Sequence, residues 1–519
     1  MNIADHATVA PRSPSLILPN SGSAHDGVSY EELYARSQRV AALLHRAGLR
    51  RGDGVVLVLP NRPEFLEITW ACQLSGLYYT AANTHFVADE IAYLIDDSEA
   101  KAVFVDASMP GIAAHVLTVN RGVTVRIAVG GTLARWHSYE HELAAAGAAP
   151  PLSDGSEMLY SSGTTGRPKA VRRPLPTDGN GSWAQSVLEM ALTRKYQMKP
   201  DSVYLSPAPL YHAAGVNYTM AVHRVGAATV LMPRFDAEAV LRLIETHHVT
   251  HAQFVPTMFV RMLKLPKAVR NGYDVTSLQC VIHAAAPCPV DVKRWMMDWF
   301  GPIIYEYYGG TEGFAGTTID PQEWLAHPGS VGRPMNPVHV LDEDGTELPA
   351  GQTGELFFEG GPVFEYFKDA AKTASVANDR GWRSLGDMGY VDSDGYLYLT
   401  DRSTFMIVSG GVNIYPQEVE NLLTMHPGLL DAAVFGVPND EFGEEVKAVV
   451  QPAADLPSSL QAAAEFEAEL IDYCRAHLAG YKCPRTIEFV AELPRDPNGK
   501  LYKRRLRERY WQGRASRIL

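Results

Sequence analysis

Residues 160–171 read YSSGTTGRPKAV, a short loop that packs hydroxyl side chains, two glycines, an arginine and a lysine together. Successive backbone N–H groups in such a turn can converge on a polyanion, with a nearby ammonium supplying charge. Phosphate is the guest this chemistry fits. The loop is not of the Walker type, because the four residues after Gly163 lead into Pro168, Lys169 and Ala170 rather than Gly-Lys and a hydroxyl residue. Taken alone, a loop of this composition is a surface connection more often than a binding site.

Four further segments carry chemistry-bearing residues: YEYYGGTEG (305–313), SLGDMGYVDSDGYLYLTDR (384–402), VSGGVNIYPQEVE (408–420) and LPRDPNGKLYKRRL (493–506). Each has a plain reading. Glu312 could be a solvated loop carboxylate, Asp387 an aspartate serving its own backbone in the LGDMG turn, and Lys500 an exposed charge in the PNGK turn. Gly410 and Gly411 could do no more than permit positive φ.

The elements that must position these residues are legible as alternation. Short apolar runs at 55–60, 101–106, 125–130 and 228–233 alternate with helical patterns at 30–48 and 237–249, which predicts α/β layers with buried sheets. From 338 to 361 closely spaced strands with Asp-Gly and Pro-Ala-Gly turns predict a small β-rich module. After DGYLYLTDR comes a compact tail, with a helix opened by Pro416, two strands and a helix from about Ser459 to Leu478. The expected division is a large N-terminal domain over 1–400, a hinge at 401–404 and a small mobile α+β domain over 405–519. The first 20 residues are expected to be frayed.

With 519 residues the chain exceeds what one core supports, and 46% hydrophobic with 20% charged residues is ordinary for an enzyme. A net charge of −13 argues against a nucleic-acid binder. The five cysteines show neither metal spacing nor a disulfide framework, which fits a reducing cytoplasm. No 18-residue apolar run predicts a membrane span, and a peripheral membrane contact is left open, as is the choice between monomer and homodimer.

In order and spacing, the five segments resemble the motifs of the AMP-forming acyl-CoA synthetases, within the superfamily that also holds luciferases and peptide-synthetase adenylation domains. The resemblance implies that carboxylate and ATP give acyl-AMP and pyrophosphate, after which the thiol of coenzyme A displaces AMP. The attack brings anion against anion, so such a site needs cations, N–H groups and in-line geometry. By resemblance, Ser161, Ser162, Gly163, Thr164, Thr165, Gly166 and Lys169 embrace the β- and γ-phosphates, Thr311 meets the α-phosphate, and Glu312 helps hold Mg²⁺. Tyr308 is expected to stack on adenine, Glu306 to accept from its amino group, and Asp387 and Arg402 to bind the ribose, while Tyr307 is core filler. Lys500 is expected to bridge carboxylate and α-phosphate. Ser409, Gly410 and Gly411 are expected to line a pantetheine tunnel after domain rotation, with Thr404 as the hinge. Two departures stand out: Ala170 replaces a frequent glycine, and Thr404-Phe405 replaces the commoner charged pair.

For the acid, PLYHAAG (209–215) and HAAAPC (283–288) predict an acyl pocket of His212, Ala213, Gly215, Ala284 and Ala285. His212 is a candidate gate for the carboxylate end, or a structural histidine. Amino-acid-activating relatives place an aspartate where Ala213 stands, so a zwitterion lacks its counter-charge and a hydrophobic acid is preferred. A medium- to long-chain fatty acid is the first expectation, a bulky aromatic or steroid-type acid the second. A stand-alone adenylation domain loading a carrier protein shares every ATP motif, whereas no residue specifically supports a light-emitting oxygenase.

Overall fold

The computed structural model describes residues 1–19, 27–161, 168–176, 183–402, 405–410, 412–439, 441–495 and 501–511, with the side chains of 161 and 183–185 set aside. Ser162, Gly163, Thr164, Thr165, Gly166, Thr404, Gly411 and Lys500 therefore lie outside the described residues, as does the Ser161 side chain.

The apolar runs form two layered sheets. One is wholly parallel, in the order His137–Ser138, Val125–Val129, Ala100–Asp106, Gly54–Val58, Tyr78–Ala81 and Ser156–Glu157. The other runs from Arg333–Pro334 through Gly316–Ile319, Ile304–Gly309, Cys280–His283, His251–Phe254, Val203–Ser206, Ala228–Leu231 and Pro14–Ile17 to Gly27–Ser29, parallel at its centre and antiparallel at both edges. Their strands are buried on both faces, which explains unbroken apolar runs such as Gly54–Val58 in place of alternation. Helix Tyr30–Arg46 packs between them with Leu33, Val40 and Leu44 fully buried. Its start is set by a capping box in which Ser29 accepts from Glu32 N and Glu32 accepts from Ser29 N.

The β-rich module consists of two small antiparallel sheets over one core. The sheet Val338–Leu341, Gly354–Phe358, Arg383–Val391, Leu397–Arg402 shares Leu356, Phe358, Phe314 and Leu397 with the sheet Glu365–Tyr366, Lys169–Arg172, Leu159–Ser161. The strand Leu397–Arg402 still belongs to this module, and a new sheet begins at Ile407–Ser409. That last sheet carries the long hairpin Leu429–Asn439 with Gly443–Pro452, covered by helices Pro416–Met425 and Leu460–His477 over its own core. The mixed α/β class with a large and a small part is therefore observed.

The frayed opening is corrected. Ile3–Val9 is a helix capped by Asn2, with Asp5 reaching back to the Asn2 N–H, and Ile3 is fully buried. Pro14–Ile17 then enters the large sheet beside Ala228–Leu231. Burial of Ile3 and the bond between His6 Nε2 and the Arg224 carbonyl (2.9 Å) tie the segment down.

Candidate active site

The loop between strands Ile304–Gly309 and Gly316–Ile319 delivers Thr311 and Glu312. The last rung pairs Gly309 with Gly316, so the residues between them stand clear of the ladder. From the strand Lys169–Arg172, the chain continues into Arg173, whose Nη2 donates to the Thr311 carbonyl at 2.7 Å. Arg173 is largely buried, and its Nη1 lies 3.7 Å from Glu157.

Glu312 is held differently. The Tyr366 hydroxyl donates to its Oε1 at 2.6 Å, while Oε2 takes no hydrogen bond from the described residues. A Cβ on Gly310 would stand 2.6 Å from that Oε2, so the missing side chain leaves room for it. One carboxylate oxygen held and one bare is a donor set that fits a hard cation such as Mg²⁺. Lys169, which opens the strand Lys169–Arg172, is bonded to Asp369, which raises the lysine pKa. The pair keeps 34% and 26% of its side chains exposed, so it is worth little and an anionic ligand can replace the carboxylate.

On the strand Ile304–Gly309, Tyr308 donates to Asp387 Oδ2 at 2.6 Å, and Arg402 Nε lies 3.1 Å from Oδ1. Burial raises the Tyr308 phenol far above its usual range, so it stays a donor. Asp387 raises the already basic Arg402 further. Both carboxylate oxygens are thus engaged, with lone pairs left over for hydroxyl groups.

Glu306 is buried on the same strand. Its Oε2 accepts from Lys293 Nζ at 2.6 Å, and His283 Nε2 lies 3.3 Å away. Burial works against its ionisation, but His283 and Lys293 outweigh that and hold the carboxyl well below the usual range. Because burial lowers the His283 pKa as well, the lasting counter-charge is Lys293, which is fully buried and stands 4.7 Å over the Trp324 ring. Glu306 Oε1 takes no hydrogen bond from the described residues and remains available as an acceptor. Tyr307 is more than filler: it accepts from Gln253 at 3.1 Å, stacks on Tyr218 and faces the cavity.

Lys169, Arg173, Glu306, Tyr308, Thr311, Glu312, Asp387 and Arg402 line one cavity of about 1740 Å³. Its lining includes His212, Ala213, Ala214, Asn217, Tyr218, Tyr196 and Tyr307, together with Ala285 and Ala286. Two expected lining residues are corrected. Gly215 does not line it: it packs on the Pro209 carbonyl, 2.3 Å from where its Cβ would stand, so its role is close approach of backbone. Ala284 is buried past the end of strand Cys280–His283, and its neighbour Ala285, at φ +76°, faces the cavity instead. His212 lies just before helix Ala213–Val225, its ring 4.7 Å from that of Tyr211.

The C-terminal part closes the cavity with Phe405, Glu420, Arg495, Leu501 and Lys503. The residues flanking 496–500 are anchored by two ion pairs, Arg495 with Asp431 and Lys503 with Glu420 (2.8 Å). Ser409 and Gly410 do not line the cavity in this arrangement; Gly410 has φ +58° and lies against Phe442.

Sequence reasoning missed Lys293, Arg173, Tyr366 and Asp369. A lysine on the face that also buries Val292, Met296 and Met297 was the available signal for the first. The others are matched to their partners only by tertiary pairing.

The profile of AMP-binding enzymes matches residues 3–367, and that of the AMP-binding enzyme C-terminal domain matches 418–500. The chain belongs to this family, and relatives it resembles are named as CoA ligases and CoA synthases. It is 34% identical to a feruloyl-CoA synthase of Amycolatopsis sp, covering 93% of this chain and 94% of that one. It is 33% identical to a 2-succinylbenzoate–CoA ligase of Bacillus licheniformis (92% and 94% covered) and 28% identical to a long-chain-fatty-acid–CoA ligase of Mycobacterium tuberculosis (98% and 97%). Among solved structures, ATP-bound MatB from Rhodopseudomonas palustris superposes with a TM-score of 0.81 at 30% identity over 99% of both chains. The apo form of MatB gives 0.71 at the same identity and coverage.

Proposed function

We propose that the chain activates an aromatic carboxylic acid with ATP and transfers the acyl group to coenzyme A. The observation that carries the chemistry is the convergence on one cavity of a bare carboxylate oxygen at Glu312, the Lys169 ammonium, the Asp387–Arg402 pair and His212. Lys169 offers charge to the phosphates, and Arg173 fixes the backbone of Thr311 where the α-phosphate is met. Glu312 is the residue to hold Mg²⁺, which would neutralise phosphate charge. Asp387 and Arg402 hold the ribose, Tyr308 covers the adenine, and Glu306 Oε1 accepts from its amino group.

The flanks of Lys500 line the same cavity as Glu312, and the chain superposes better on ATP-bound than on apo MatB. Both support reading this arrangement as the adenylating one, in which Lys500 bridges carboxylate and α-phosphate. Rotation about 401–404 would bring Ser409, Gly410 and Gly411 in for the thiol step. Between the two classes of acid, the phenols of Tyr196, Tyr218 and Tyr307 favour the aromatic one, since they offer ring contacts and polar tips where an alkyl chain needs only apolar wall.

The test is a panel of aromatic and fatty acids assayed for pyrophosphate release with and without coenzyme A, with thioester quantified. Aromatic acids should show the highest kcat/KM, and thioester should form with free coenzyme A. A preference for long alkyl acids would reverse the choice of acid; release of pyrophosphate without thioester would point to another acceptor. Lys500→Ala should slow acyl-AMP formation by about 100- to 1000-fold while preformed acyl-AMP still reacts with coenzyme A.

A further inference from the structure

Glu312 is almost wholly buried, yet among the described residues it makes no ion pair. Of the nearby cations, Arg173 donates to the Thr311 carbonyl, and Arg402, which senses the Glu312 charge, is paired directly with Asp387. What holds the carboxylate is the hydroxyl of Tyr366 at 2.6 Å. A neutral donor orients a carboxylate without cancelling its charge.

Tyr366 itself has little freedom. It lies on the strand Glu365–Tyr366, where it pairs with Val171, and Val171 pairs in turn with Leu159. Its N–H donates to Thr373 Oγ1 at 2.9 Å, and its ring meets Phe364 edge-on at 5.3 Å. Burial raises its phenol far above the usual range, so the hydroxyl remains a donor. The same small sheet holds Ser161 opposite Lys169, the two roots of the phosphate loop.

We propose that Tyr366 is a positioning residue for the metal-holding carboxylate, fixing Glu312 Oε1 so that Oε2 faces the cavity, from the same sheet that carries Lys169. The three-stranded sheet thereby ties the grip on the triphosphate to the placement of the carboxylate that reads its magnesium. The inference rests on Glu312 being the metal carboxylate.

The experiment is nucleotide binding by the full-length chain without acid, so that no turnover occurs. Titration calorimetry compares Mg·ATP with ATP in EDTA for the parent, Tyr366→Phe, Glu312→Gln and the double variant. A hydrogen bond to a charged group is worth about tenfold or more in binding, so Tyr366→Phe should weaken Mg·ATP by at least about tenfold. It should leave metal-free ATP within about twofold, a readout that a merely structural role would not separate and that doubles as the control for folding. In the Glu312→Gln background the tyrosine change should add nothing. Equal weakening of both nucleotide forms, including by loss of folded protein, overturns the proposal, as does no change in either. If Glu312→Gln keeps the parent's preference for Mg·ATP, the metal reading of Glu312 falls first. If that preference is lost in Glu312→Gln but kept in Tyr366→Phe, only the role of Tyr366 falls.

Discussion

Glu306 and Glu312 stand on one hairpin, the first within strand Ile304–Gly309 and the second in the loop that follows, and both are buried, 5% and 7% exposed. Glu306 is matched by a fully buried lysine, Glu312 by a phenol. Burying a carboxylate is costly unless its charge is answered: Glu306 has a direct ammonium partner, whereas Glu312 has no ion pair among the described residues, as the proposed magnesium site requires. On the proposed reading both acids meet the nucleotide, and charge balance, more than burial or position, is what distinguishes them.

The sharpest way to break this contrast is to remove Lys293. Lys293→Met leaves Glu306 buried and uncompensated, which should cost about 3–5 kcal/mol, read as a fall in melting temperature. Adding Glu306→Gln should recover most of it. Glu312→Gln should do the opposite, leaving the melting temperature nearly unchanged while slowing pyrophosphate release by about 100- to 1000-fold. Should both variants lose stability alike, the distinction between the two acids fails.

Acid titration sharpens the same point. Burial would raise Glu306, but His283 and Lys293 bring it down to about 2 from 4.5. A depressed carboxyl stabilises the fold above its unfolded pKa, and that contribution is lost as pH falls through the folded one. The melting temperature of the parent should therefore drop between about pH 4.5 and 2 more steeply than that of Glu306→Gln. The smallest effect is expected at Asp369. Asp369→Asn can still cap the helix through Lys372 N (2.9 Å) but no longer neutralises Lys169, so KM for ATP should fall by a few-fold at most. A rise in KM would mean that Asp369 helps bind the nucleotide.

The layers were legible because buried parallel strands write themselves as unbroken apolar runs. The strand at 101–106 and the helix at 237–249 appear within a residue or two of where periodicity places them. The motif residues Thr311, Glu312, Asp387 and Arg402 were legible as a set and do meet in one cavity. What the sequence hides is partner choice. Tyr366 finds Glu312 across 54 positions and Asp369 finds Lys169 across 200, by packing that no local pattern encodes. Gly215 misled because a small residue reads equally as space for substrate or as space for backbone. The N-terminal helix was passed over although Asn2 and Asp5 have the spacing of a cap.

That N-terminal segment has a consequence for how the chain is made. Leu16 pairs with Thr229, more than two hundred residues downstream. A ribosome adding about 5–20 residues per second needs roughly 10–40 seconds to bring that partner out after the first strand has emerged. Throughout this interval the Ser-Leu-Ile run can pair on one edge only, with Gly27–Ser29, while its other edge waits for Ala228–Leu231. The two-stranded ribbon Pro14–Ile17 with Gly27–Ser29 therefore has to stay unseated on one edge until a strand two hundred residues later arrives to receive it.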